Sequence, residues 1–299
     1  MKTSVPLDDL MDRVSAGGRL SVEELAEVVA TPDILPLGML ADTLRRRLHG
    51  ARVTYLRVAL CPFDEPFSDP VPPAARELRI TGAPEAMDAA LSAVAAARTA
   101  AGGRAVSGLS WADVERLATS AGLDVGDVLG RLRSAGLDAV AHMPLDLIDN
   151  LPQALDRLAT AGYEHVRLTI DKAAADVRTT LVRRAAELQD MFSCIQALNP
   201  LPSTLNALRP TTGYDDVKAV ALARLAAPNI PHVQVDWLRY GPKLAQVALT
   251  FGADDVDNVT ASDAAPDGRR RAPLEEVRRN IEAAGFEPAE RDGRFAPIG

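Results

Sequence analysis

From about residue 50 onward, short apolar runs alternate with longer amphipathic segments. Runs at 53–60, 77–81, 105–109, 137–142, 165–170, 194–198 and 232–237 have the length and composition of strands, with a weaker one near 253–256. Helical spacing falls between them, at 86–97, 111–118 with 125–134, 151–161, 173–188, 215–225 and 242–251. Strands that alternate with helices predict parallel pairing through right-handed crossovers. Eight such units close a (β/α)8 barrel of the TIM type, in the α/β class, whose functional face is the ring of loops after the strands. A doubly wound open sheet is the alternative, because periodicity does not say whether a sheet closes.

Helices come first. Ser21-Val22-Glu23-Glu24 has the pattern of a capping box. After Pro36, Leu37, Leu40, Leu44 and Leu48 recur at helical spacing and Gly50 stands where the helix stops. Arg45, Arg46 and Arg47 occupy its late turns, where cations suit the negative end of the dipole, and read as a solvated helix end. Residues 1–50 are thus expected to form a helical segment packed on the barrel, and 51–299 the barrel with a C-terminal helix at 273–284. Two segments break the rhythm. The stretch 62–73 holds five prolines and reads as a loop after the first strand, and 261–272 reads as a polar connector.

Composition narrows the class. With 299 residues, 47% hydrophobic and 25% charged, the chain is long enough to bury a core without staples. Two cysteines, Cys61 and Cys194, exclude a disulfide scaffold and any four-thiolate site within one chain. A net charge of −8 argues against a nucleic-acid partner. No stretch approaches the ~20 apolar residues of a membrane span and the start lacks an apolar signal core, so a cytoplasmic protein is expected.

Phosphate-binding glycine loops, H-E-x-x-H and G-x-S-x-G are absent from the sequence. His142, expected at the C-terminal end of the fourth strand, is either an acid–base group at the barrel mouth or a strand-end imidazole satisfied by backbone. His232 opens the seventh strand at the opposite, stability end. Asp254, Asp255 and Asp257 form the densest carboxylate cluster near a predicted strand end, suited to a ligand or to caps. Asp236 and Trp237, followed by Arg239, Tyr240 and Lys243, would suit a small anionic or aromatic ligand, or simple packing with solvated charges. Cys61 has no partner base in sequence and reads as an inert buried thiol.

The succession Asn229-Ile230-Pro231-His232, Trp237, Gly241, 243–249 and 251–257 resembles the last two strands of aminofutalosine synthase. Residues 44–57, 120–138, 187–197 and 210–216 resemble the same family. These are the radical SAM enzymes of the futalosine route to menaquinone, with dehypoxanthine futalosine cyclase and the deazaflavin-forming enzymes as relatives. The resemblance implies a radical-SAM-like barrel. It also implies a C-x-x-x-C-x-x-C loop after the first strand, whose three thiolates hold a four-iron cluster that grips SAM. Here that loop reads 58–67, with Cys61 alone. The family's glycine-rich stretch after the fourth strand is His142-Met143-Pro144-Leu145-Asp146, and Gly82 keeps one of two glycines expected after the second. The expectation is a barrel with no cofactor and no metal. It binds a small metabolite or a partner enzyme through Trp237, Arg239, Asp254, Asp255 and Gly82. The alternative is polar chemistry with a carboxylate base among Asp146, Asp236 and Asp254, assisted by His142. A third reading is a companion of a catalytic paralogue, or a homo-oligomer.

Overall fold

The computed structural model describes residues 7–65, 71–202, 213–265 and 272–298. Helices α1 (Leu7–Ala16), α2 (Val22–Ala30) and α3 (Ile34–His49) lead into β1 (Arg52–Pro62) and β2 (Glu77–Thr81). There follow α4 (Met87–Ala101), β3 (Ala105–Ser110), α5 (Trp111–Ala121), α6 (Val125–Ala135), β4 (Ala139–Pro144) and α7 (Leu151–Thr160). The second half runs β5 (Val166–Ile170), α8 (Ala175–Phe192), β6 (Ile195–Pro200), α9 (Gly213–Ala226), β7 (His232–Asp236) and α10 (Trp237–Leu249). It ends with β8 (Asp255–Thr260), α11 (Pro273–Ala283) and β9 (Glu287–Glu290). Each strand from β1 to β7 pairs in parallel with its successor, and β8 pairs with β1, so the sheet is a closed barrel rather than an open one.

Local chemistry sets the element ends. Ser21 Oγ accepts from the Glu24 amide at 3.2 Å while the Glu24 carboxylate accepts from the Ser21 amide at 2.8 Å, the reciprocal cap read from sequence. Ser110 and Asp113 repeat the device at α5. Gly241 breaks α10 with φ 71°, which lets Pro242 start the second, longer piece. The main core lies between barrel and helices, and α9 is buried on almost every face because α3 and α8 cover its outer side.

Three expectations change. The Arg45–Arg47 triplet is not all solvated, since Arg45 is fully buried, pairs with Asp42 at 2.9 Å and stacks 4.0 Å from the Phe286 ring. The eighth strand begins at Asp255, not two residues earlier, because its acids alternate with valines and face the lumen. The sequence pattern predicts nothing regular after the C-terminal helix, yet β9 adds to the N-terminal half of β1, below the stretch of β1 that pairs with β2. Pro288 is tolerated there because β9 is an edge strand. Parts of both irregular segments, 66–70 and 266–271, and the Pro210–Thr212 match lie outside the described residues.

Beyond β9 the chain crosses the floor of the barrel. Arg291 is fully buried and its guanidinium grips Asp255 through two hydrogen bonds of 2.6 and 2.7 Å. Gly293 runs so close that an added Cβ would lie 2.6 Å from both the Glu77 carboxylate and Ala105. The Phe295 ring stacks on His232 at 5.1 Å and lies under the Arg291 guanidinium at 4.0 Å.

Gly82, at φ +92°, follows β2, and a Cβ on it would lie 2.5 Å from the Phe63 ring. We expect Gly82→Ala to cost about 2 kcal/mol in urea unfolding, from left-handed strain plus displacement of Phe63. Adding Phe63→Ala should relieve the clash and leave the strain.

Candidate site at the barrel mouth

The lumen is polar, and its lower half is consumed by ion pairs. Glu77 is fully buried and accepts from Arg79 at 2.8 and 3.0 Å, from Ser107 at 2.6 Å and from Arg167 at 2.5 and 3.2 Å. Arg79 also spans to Asp257, at 3.0 and 3.1 Å. Burial alone would raise the Glu77 pKa, but the two guanidiniums hold it well below the usual carboxylate range. Among the described residues, Glu77 and Asp257 both have cations in this layer, so the floor is a plug of paired charges.

Above it, at the C-terminal ends of the strands, the groups are less committed. His142 on β4 meets Asp171, just past β5, through Nε2 and Oδ2 at 2.9 Å. The other Asp171 oxygen accepts from the Thr169 hydroxyl at 2.7 Å. Burial acts to raise the Asp171 pKa, but these hydrogen bonds and the neighbouring imidazole keep it low, so it is an ionised acceptor at neutral pH. Asp146 fixes the turn that carries it, accepting from the amides of Asp171, Lys172 and Ala173 at 2.9, 2.6 and 2.8 Å. Asn199, level with Thr169 on the adjacent strand, is 4% exposed, and among the described residues its Oδ1 has no hydrogen-bond partner. A buried acceptor left open costs free energy unless a ligand or water satisfies it.

Asp236 ends β7, caps α10 through the Arg239 amide at 2.9 Å and accepts from Asn258 at 3.1 Å. Burial, with the Asp257 carboxylate near it, raises its pKa. The mouth therefore combines an ionised Asp171 beside an imidazole with a carboxyl that holds its proton more tightly than usual.

The sequence-derived candidates divide accordingly. His142, Asp236 and the exposed Arg239 stand at the mouth, and Asp146 braces it. Trp237 is buried in the shell between helices and barrel. Asp254 and Asp255 are not at the mouth, a correction that follows from the true start of β8. Asp255 is taken up by Arg291, Gln234 and Thr54, and Asp254 by Arg224, His232 and the Val233 amide, all at the floor. Gly82 lies against Phe63. Cys61 shares the shell face of β1 with Val53 and Ala59, and burial raises its pKa. Thr169, Asp171, Asn199 and Asn258 were missed. Their signal was polar residues at alternate positions of otherwise apolar strands, which in a barrel means a polar lumen.

His49, His232 and Asp254 lie close enough together to hold a metal ion. The same Asp254 carboxylate is paired with the buried Arg224, and the His49 Nε2 is 3.0 Å from the Pro231 carbonyl oxygen. With the carboxylate already neutralised by a guanidinium, the cluster is better suited to internal charge pairing than to a cation. Among the described residues, no helix is long and apolar enough to cross a membrane.

The profile of the CofH/MqnC C-terminal region matches residues 199–298, from β6 through the floor-crossing tail. Aminodeoxyfutalosine synthase of Thermus thermophilus is 24% identical over 97% of this chain and 95% of its own length. Cyclic dehypoxanthine futalosine synthase of Streptomyces coelicolor is 22% identical over 97% and 88%. These matches support a kinship of the chain with the radical SAM menaquinone-pathway family. Within that family, the 5-amino-6-(D-ribitylamino)uracil--L-tyrosine 4-hydroxyphenyl transferase of Archaeoglobus fulgidus is 30% identical over 60% of this chain, and the match spans 61% of the transferase. Fold likeness reaches further. The hydrogenase maturase HydG of Carboxydothermus hydrogenoformans superposes with a TM-score of 0.67 at 13% identity, covering 97% of this chain and 80% of HydG. Methylornithine synthase PylB gives 0.66 at 15%, covering 94% and 97%.

Proposed function

We propose that this chain binds a small metabolite of the menaquinone (futalosine) route at the mouth of its barrel and works without radical chemistry. The observation that carries this reading is the placement of sulfur. A cluster held by three thiolates of one chain needs three, and the sequence has two. Cys61, near the top of β1, is turned into the shell core, and Cys194 precedes β6 at the other end of the barrel. Burial raises both thiol pKa values, which disfavours the thiolate that iron requires. Close by, the Phe63 ring occupies the space beside Gly82, and a histidine side chain stands at the end of β4. These residues do not fit a thiolate-held cluster, and no step is derived through one.

Anaerobic incubation of the full chain with ferrous iron, sulfide and SAM, followed by desalting, should leave neither stoichiometric iron nor cluster absorbance, and SAM should stay intact. A four-iron cluster, built from unexpected donors or shared with a second copy, would overturn the reading. For the ligand, aminodeoxyfutalosine and cyclic dehypoxanthine futalosine are the probes. A ligand present at about 100 times its Kd stabilises the fold by about 2.7 kcal/mol, an easily read rise in Tm. No shift with either compound removes the pathway assignment.

A further inference from the structure

The His142–Asp171 pair is more than a binding contact, because its hydrogen bonds fix which nitrogen is free. Both Asp171 oxygens are engaged, one by the Thr169 hydroxyl and one by His142 Nε2. An ionised carboxylate only accepts, so in the neutral ring Nε2 carries the hydrogen and Nδ1 the lone pair. The imidazole meets a carboxylate here, in place of the backbone satisfaction that a purely structural strand-end histidine would find. Its side chain is 40% exposed at the C-terminal end of β4, within reach of a molecule in the mouth. The backbone that carries Asp171 is held in place, since Asp146 accepts from its amide and the next two. A base, a carboxylate that orients it and a brace that fixes the carboxylate make up the arrangement used for proton transfer.

We propose that His142 is the general base of a polar reaction at the barrel mouth, oriented by Asp171 and positioned through Asp146. This rests on the reading that the mouth takes a small metabolite without radical steps. Nδ1 removes a proton from a substrate O–H, or from a C–H beside a carbonyl. The electron pair of that bond stays on the substrate, and the ring becomes an imidazolium whose charge Asp171 balances. Nδ1–H then returns the proton to the product or to its leaving atom, so no oxidant or reductant is needed. Arg239 is exposed and close enough for its charge to act on Asp171. The open Asn199 Oδ1 asks for a hydrogen-bond donor. Together they favour a small organic anion that carries a hydroxyl or amide.

Two measurements test this on the full chain. Diethyl pyrocarbonate, which acylates unprotonated imidazole nitrogen, should modify His142 ahead of the more enclosed His49 and His232, with a single-group pH profile read by peptide mapping. Asp171→Asn should alter that profile, and a profile identical to wild type would overturn the orienting role. Second, the protein is incubated with the total small-molecule extract of the source cells in deuterated water, and anionic metabolites are followed by mass spectrometry. Wild type should convert or deuterate at least one, with His142→Ala and Asp171→Asn slower by at least about 100-fold. Unchanged unfolding midpoints would show that both variants fold. Conversion that survives in His142→Ala, or none with wild type, overturns the proposal. The thermal shifts with the two futalosine compounds are independent of it, so the binding reading stands or falls separately.

Discussion

Arg291→Met should destabilise the protein by about 3–5 kcal/mol, because it leaves the Asp255 carboxylate in the barrel floor without its cation. Arg291 and Asp255 are both fully buried, and two hydrogen bonds of 2.6 and 2.7 Å join them. Methionine keeps most of the volume, so the loss reports charge more than a cavity. At roughly 2 °C per kcal/mol for a chain of this size, the unfolding midpoint falls by about 6–10 °C. The double variant Asp255→Asn with Arg291→Met should recover much of this, since no unpaired charge is left behind. A single variant as stable as wild type would mean that the tail does not close the floor in solution.

Asp254→Asn carries the second large effect, again about 3–5 kcal/mol near neutral pH. Asp254 faces the buried Arg224, the His232 Nδ1 at 2.5 Å and the Val233 amide at 2.9 Å. Burial acts to raise its pKa, and Arg224 with His232 overrides this and holds it well below the usual carboxylate range. Between the unfolded and folded values the native state binds fewer protons than the unfolded one. The contribution is therefore full above the unfolded pKa and lost as pH falls through the folded one. The variant should show a shallower acid limb in urea unfolding followed from pH 7 to pH 2, an unchanged slope being the contrary result. Glu77 and Asp255 keep part of the limb, because their pKa values are lowered too. His232 works at the other end. Burial acts to lower its pKa and Asp254 raises it overall, so its contribution is present below about pH 6.5 and lost as pH rises through the folded value. His49, which burial keeps neutral, opposes it by losing stability on acidification.

The same two residues show where reading the sequence stopped. The sequence shows Asp254 and Asp255 as a dense acidic cluster beside a strand, and the structure puts them at the start of β8 rather than at its C-terminal end. A hydrophobic-run reading halts at acids, whereas a barrel strand with a polar lumen alternates acids with valines and runs on to Thr260. Asp171 and Thr169 went unnoticed for the same reason. In sequence Arg45 is indistinguishable from Arg46 and Arg47, yet it alone of the three is buried, paired with Asp42 and stacked 4.0 Å from the Phe286 ring, while the other two are exposed.

By itself the sequence determined the alternation of strands and helices, the caps, the family likeness and the shortage of thiols. These depend on local periodicity, short-range hydrogen bonding and counting, which need no third dimension. Closure of the sheet, which periodicity leaves open and the family likeness implies, is seen in the β1–β8 pairing, and tertiary structure alone decided that the tail seals the floor and that His142 finds Asp171, 29 residues away, across the ladder. Closure, burial and the pairing of charges are set by which strands become neighbours, and strand order is a property of the whole chain rather than of any segment in it.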